Sequence, residues 1–209
     1  MRDRFRRHPV TAGYLLAVAG LALLMRFVFA DEASAQVHES FSTNARNLAD
    51  HPLSALLCSA FVLDPDDGPA FTASALAAVA VCLGRFERET GPWRAAAVVL
   101  AGHVGATLTT AAVISSGVYP TDLTDVLDVG IGYAAFAAAG AATALVPLVL
   151  RPPWLALVVA YPLITAPWSG SSWLGAVPDF EAVGHVAAAL LGAAGGALAL
   201  RRSSAAVGR

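Results

Sequence analysis

The sequence predicts an all-α, polytopic membrane protein with six transmembrane helices in a single domain, and three observations predict it. Of 209 residues, 57% are hydrophobic and 13% charged, with a mean hydropathy of +0.64. That is more apolar surface than a soluble domain of this length can hide. The apolar residues fall into six runs, at about 12–30, 70–84, 93–116, 129–150, 154–168 and 180–200. Finally, the charges are sorted by connection. All thirteen basic residues are arginine, and they gather at alternate connections, as the positive-inside rule requires of a multi-pass chain.

The first run follows Arg2, Arg4, Arg6 and Arg7. A basic start, an apolar centre and the small residues Ala33, Ser34 and Ala35 also imitate a signal peptide. Arg26 interrupts the run and the chain stays hydrophobic beyond it, which favours an uncleaved helix. Residues 31–69 form the longest connection, acidic apart from Arg46. Leu48, Leu53, Leu56, Leu57, Phe61 and Val62 alternate there with polar positions, so the loop is expected to lie half embedded at the interface. It ends in a strong turn over Asp64, Pro65, Asp66, Asp67, Gly68 and Pro69.

The second and fifth runs, at about 15 residues, fall short of the roughly 20 that a bilayer needs, which predicts tilt or shielding by neighbours. Arg85, Glu87, Arg88 and Glu89 follow the second run and read as a solvated turn. Asp122, Asp125 and Asp128 precede the fourth, and Arg151 ends it. The stretch Asp128–Gly140, opening that fourth helix with glycines and one tyrosine, is the anchor of the sequence. Ser169 to Ser172 form a polar loop before the sixth helix, which begins near Asp179 and is followed by Arg201 and Arg202. With six spans, only Arg26 and Arg46 of the thirteen arginines lie outside, placing both termini in the cytoplasm. The alanine, glycine and arginine bias points to a bacterial inner, plasma membrane.

Several function classes fall away at this stage. No cysteine and histidine cluster has metal spacing, no glycine-rich phosphate loop occurs, and no basic stripe suits nucleic acid. Cys58 and Cys82 read as small buried residues at different depths rather than a disulfide. No cofactor and no metal is expected, and the lipid bilayer is the evident partner.

The fourth and sixth helices run in the same direction, so their first residues share a depth. Gly132 lies about three residues inside one and His185 about five inside the other, within roughly one turn of each other at 1.5 Å per residue. The two are expected to face each other where two positive helix ends converge. His103 lies roughly 10 Å deeper, too far for a metal shared with His185, and is expected to bond a neighbouring helix. Asp128 reads as a helix N-cap and Glu181 as an interfacial residue with a similar dipole benefit. Gly192 and Gly196, four apart, read as a close-packing stripe.

These features resemble the rhomboid family of six-helix intramembrane serine proteases and their inactive relatives. The resemblance covers about residues 70–200. It rests on LGRFERETG at 83–91, GIGYAAFAAAGA at 130–141 and GHVAAALLG at 184–192, in order and with matching topology. The long acidic first loop also looks like the family's. The resemblance implies that His185 stands where the family has its catalytic base and Gly192 on a glycine of the same motif, with Ala188 in place of the nearer glycine. It further implies that position 132, glycine here, is the place of the absent nucleophile, and that Tyr133 replaces the companion glycine. The family's histidine and asparagine on the second helix have no counterpart among Phe71, Thr72, Ala73, Ser74 and Ala75. Glu87, by the same resemblance, would be a structural staple.

Dyad chemistry needs a hydroxyl within hydrogen-bond reach of the imidazole. Thr143 is roughly 16 Å too deep, Tyr133 points about 100° away from position 132, and only a serine from the 169–172 loop dipping inward would supply one. The expectation is therefore a pseudoprotease, with His185 a vestigial base, that binds transmembrane segments of other proteins through a lateral opening. An active protease with a displaced nucleophile is the first alternative. The second is a small transporter using His103, His185 and Asp128, which lacks paired charges at mid-membrane.

Overall fold

The computed structural model describes residues 8–207. In chain order its helices are α1 (Pro9–Phe27), α2 (Asp31–Phe41), α3 (Ala45–Asp50), α4 (Pro52–Cys58), α5 (Pro69–Thr90), α6 (Pro92–Ser115), α7 (Gly132–Leu145, its last turn 3-10), α8 (Arg151–Thr165) and α9 (Phe180–Val207). Prolines open α1, α4, α5 and α6, where a missing N–H costs nothing. Five helices are long and apolar enough to cross a membrane: α1, α5, α6, α9, and α8 together with the 3-10 turn before it.

The sixth, α7, is shorter than the 129–150 expected of it. Val129 to Ile131 are not helical because their backbone is tied to the long connection, with the Gly130 N–H donating to the Ser59 carbonyl at 3.1 Å. Pro147 ends the helix by removing a donor. A short helix suffices because neighbours sheathe it. From Gly132 to Ala142 only Phe136 is not buried, so α7 does not meet lipid and need not match its thickness.

Two further bounds differ from the sequence reading. α5 does not stop at Gly84 but continues through RFERET to Thr90, and Gly91 ends it with φ of +85°. Its middle, Val79–Leu83, is a π-turn. α8 begins earlier and ends at Thr165, because residues 168–178 fold into an antiparallel ribbon, β1 (Trp168–Gly170) against β2 (Ala176–Pro178). A serine- and glycine-rich loop gave no strand signal.

α7 and α9 form the most intimate contact of the bundle, and small residues permit it. A Cβ on Gly140 would lie 2.0 Å from the Ala189 carbonyl oxygen, and one on Gly192 would lie 2.1 Å from that of Ala137. Across the bundle, Glu87 of α5 is 2% exposed and is no solvated turn. It accepts from the N–H groups of Val10 and Thr11 at 2.8 and 2.9 Å and from the Thr11 hydroxyl at 2.7 Å. A carboxylate from α5 thus caps the N-terminus of α1, where donors are free and the dipole is positive.

The long connection is helical, and α4 turns Leu53 and Leu57 outward, 74% and 45% exposed, as an interfacial helix would. It is pinned to the mouth of α7: Thr43 N–H donates to the Asp128 carbonyl at 2.8 Å, and the Asp128 N–H donates to Ser42 Oγ at 3.0 Å. Cys58 and Cys82 are both free thiols.

Candidate functional site at the mouth of α7 and α9

Gly132 opens α7 and His185 lies in the second turn of α9. They face each other so closely that a Cβ on Gly132 would lie 2.3 Å from His185 Nε2. The imidazole thus fills the volume in which a side chain at 132 would begin. It is packed among rings, with centroids 4.5 Å from Phe136, 5.4 Å from Tyr133 and 5.6 Å from Phe71. Among the described residues none hydrogen-bonds to it. Its wall on the α5 side is Phe71, an apolar ring with no donor for an oxyanion.

Tyr133 packs against His185 without hydrogen-bonding to it. Its phenol donates to the Asp128 carboxylate, 3.1 and 3.3 Å from the two oxygens, so the Thr110 hydroxyl 3.3 Å away must be the donor to it. Nor is Asp128 the N-cap expected: α7 starts at Gly132 without a side-chain cap. Asp128 is 6% exposed and accepts from Thr43 Oγ1 at 2.7 Å as well as from Tyr133. Thr43, Asp128, Tyr133 and Thr110 make one buried chain joining the long connection, α7 and α6. No spacing rule pointed to it, because Thr43 and Thr110 are far in sequence from the Asp128 and Tyr133 pair that they join.

His103 bonds not to a neighbouring transmembrane helix but to Ser59, in the 3-10 turn after α4. The Oγ to Nε2 distance is 3.2 Å, with both residues buried. The loop serines do not enter the site: Ser172 donates to the Gly117 carbonyl and Ser171 Oγ accepts from Leu174 N–H. Among the described residues, no group of three or more His, Cys, Asp or Glu side chains is arranged to hold a metal ion.

Space around His185 is divided unequally. Between Gly132, Asp128 and Asp64 there is about 10 Å³, hardly room for a water. On its other side a cavity of about 380 Å³, walled by Asp66, Asp67, Asp179 and Glu181, opens toward the ends of α5 and α8. Below it lies an apolar groove of about 270 Å³ between α5 and α8, sharing Phe71 and Tyr161 with the cavity above. Ser74, Ala75, Ala78, Ala135 and Ala139 form its small-residue walls. Phe136 links the two, its ring 6.3 Å from Tyr161 on the groove side and 4.5 Å from His185 on the other.

The carboxylates at this mouth repel one another. Burial, and then Asp64 and Asp66, push the Asp67 carboxyl up to about 6. Burial pushes Asp128 up to about 6 against the hydrogen bonds of Thr43 and Tyr133, with Asp64 and Asp179 adding to the rise. Asp64 and Asp179 are raised as well, chiefly by burial, while His38 partly offsets the shift of Asp64. A raised carboxyl stabilises the fold fully below its unfolded value near 4, and that contribution is lost as pH climbs through about 6. The protein is therefore expected to withstand heat better at pH 5 than at pH 7.5. Asp67→Asn should flatten the profile by about 1 kcal/mol, after allowance for its half-exposed position. A thermal-unfolding series across that pH range in a neutral detergent checks it, and a rise in stability toward pH 7.5 would contradict it.

A family model described as rhomboid-like protein matches residues 4–205. No curated protein and no solved structure matches the chain.

Proposed function

The chain belongs to the rhomboid-like family, and from that premise we propose that it is a member without peptide-bond hydrolysis, a pseudoprotease that binds transmembrane segments of other proteins. One observation carries the reading. The position facing His185 is a glycine whose Cβ site the imidazole itself overlaps, at 2.3 Å, so there is no hydroxyl to activate, and the space on the Gly132 side of the imidazole, about 10 Å³, is closed to a carbonyl. The apolar groove between α5 and α8 leads to the same point and supplies the lateral opening. Its α5 bank and floor carry Ser74, Ala75, Ala78, Ala135 and Ala139, short side chains that let another helix approach closely, while Leu157, Val158 and Tyr161 form the α8 bank. The alanine, glycine and arginine bias supports a bacterial inner membrane, and the arginine distribution supports cytoplasmic termini.

The test is a panel of fluorescent transmembrane substrates presented to the purified protein in liposomes. No cleavage is expected from the unmodified chain, and none from Gly132→Ser, whose Cβ must first displace an imidazole held by three rings. Cleavage that disappears in His185→Ala would overturn the reading.

A displaced nucleophile has one specific observation in its favour, the Ser59 hydroxyl within hydrogen-bond reach of His103. Against it, Ser59 is 1% and His103 2% exposed, so neither presents surface to a peptide carbonyl, and the cavity beside His103 is lined almost wholly by apolar side chains. Labelling by a serine-reactive probe that is lost in Ser59→Ala would reverse this ranking.

A further inference from the structure

The groove that would receive a membrane helix has an unusual rim. At the end where α8 finishes and α9 begins, the cavity continuous with the groove is walled by Asp66, Asp67, Asp179 and Glu181, with no arginine in its wall. The one arginine of the long connection, Arg46, is paired with Asp125 at 2.7 Å, and its His38 lies near Asp64, which is not in that cavity's wall. The helix N-termini of α5 and α9 supply about half a positive charge each, too little to balance four carboxyl groups. Asp66 is exposed and Asp67, Asp179 and Glu181 partly so, so an incoming group can reach them. Below the rim the groove is apolar, from Phe71 down to Ala78. That length corresponds to about 10 Å, or two turns of a visiting helix.

We propose that the groove between α5 and α8 selects membrane helices carrying arginine or lysine at the end that lies beside this acidic rim. The inference rests on the helix-binding reading above and adds the chemistry of the partner. A cation at that place meets several carboxylates at the edge of a low-dielectric groove, where their mutual repulsion is relieved by its arrival. A helix ending in acid meets the same rim as a like-charge penalty. An acyl chain would fill the lower groove and leave the rim unanswered, and the anionic headgroups of a bilayer would be repelled by it. A second copy of the chain brings one arginine to this end of its spans, Arg26 at the close of α1, which lies over its own Phe27 ring at 5.6 Å, so self-association is an outcome that the experiment separates.

The experiment uses the full chain in zwitterionic liposomes, with a photocrosslinking residue replacing the exposed Ser74 in the groove. Three single-span peptides share one apolar core and differ only in flanks placed at both ends: Arg-Arg, Gln-Gln or Glu-Glu. Crosslinking should fall in that order. Two exposed ion pairs correspond to about a tenfold preference of the first over the last, reduced by added salt. Asp66→Lys, an exposed position that leaves packing untouched, should narrow the preference, and the triple variant Asp66→Asn, Asp67→Asn, Asp179→Asn should abolish it. Equal crosslinking of all three peptides would overturn the charge inference and leave groove binding standing. Crosslinks to lipid or to a second copy only, with no peptide labelled, would overturn both.

Discussion

Gly140→Ala is expected to destabilise the protein by about 3 kcal/mol, and Gly13→Ala to leave it unchanged or slightly more stable. Both replace a helical glycine with the best helix former, so propensity alone predicts a gain of roughly 0.5–1 kcal/mol in each. Their surroundings decide otherwise. The new methyl at Gly140 lies 2.0 Å from the Ala189 carbonyl oxygen and 2.9 Å from its carbon, whereas at Gly13 nothing lies within 4 Å. An offending side chain can rotate away, but a backbone carbonyl can move only by parting α7 from α9. That loosens the contacts on which both helices depend and shifts the Gly132 and His185 pair that they carry. Thermal unfolding of the two variants in the same detergent is the measurement. If both lose stability equally, or neither does, close backbone approach is not what holds α7 against α9.

Glu87→Ala should cost about as much, for an electrostatic reason. Three donors, the N–H groups of Val10 and Thr11 and the Thr11 hydroxyl, converge on that carboxylate from the start of α1. Each loses its partner in a buried setting, and a buried donor left unpaired costs roughly 1–3 kcal/mol. Charge and helix dipole strengthen the native arrangement. Glu87→Gln keeps a single acceptor oxygen and should recover about half of the loss. The readout that separates a cap from ordinary core packing is local: limited proteolysis or hydrogen exchange near Val10 and Thr11 should rise in Glu87→Ala well before the rest of the bundle opens. Uniform loosening throughout would contradict the capping role.

Reading the sequence reached the parts of this fold that follow from local pattern and failed where partners are distant. Apolar runs announced the membrane helices because each is continuous, even where, as in the second and fifth, it is short. Rise per residue was enough to bring Gly132 and His185 to one depth, since both helices start at the same face and α7 needs only its first turn to be right. The spacing of Gly192 and Gly196 signalled a packing stripe, and both glycines do meet α7 backbone.

Glu87 was read as solvated because Arg85, Arg88 and Glu89 surround it in sequence. Only the return of α1, far away in the chain, shows that its face of the helix turns inward. Asp128 fitted a cap by the local rule for helix starts, but Thr43 and Tyr133 compete for its oxygens and α7 begins later. The bond between Ser59 and His103 joins a loop to a span, which no periodicity encodes. Family resemblance supplied the meaning of position 132; composition alone would have left that glycine as one small residue among many.

The π-turn at Val79–Leu83 has a mechanical consequence for the groove. Below it, α5 is clamped by Glu87 to α1 and by Phe86, which is fully buried. Above it, Pro69–Ala78 forms one bank of the groove and carries the Asp66 and Asp67 turn at its tip. A π-turn interrupts the regular ladder and is a recognised place for a helix to bend. The upper half is thus a lever about 15 Å long on a fixed base, and a bend of about 10° at the joint displaces its tip by about 2.6 Å. A bend of that size would change the distance between Pro69–Ala78 and α8, and with it the position of Phe71 against His185.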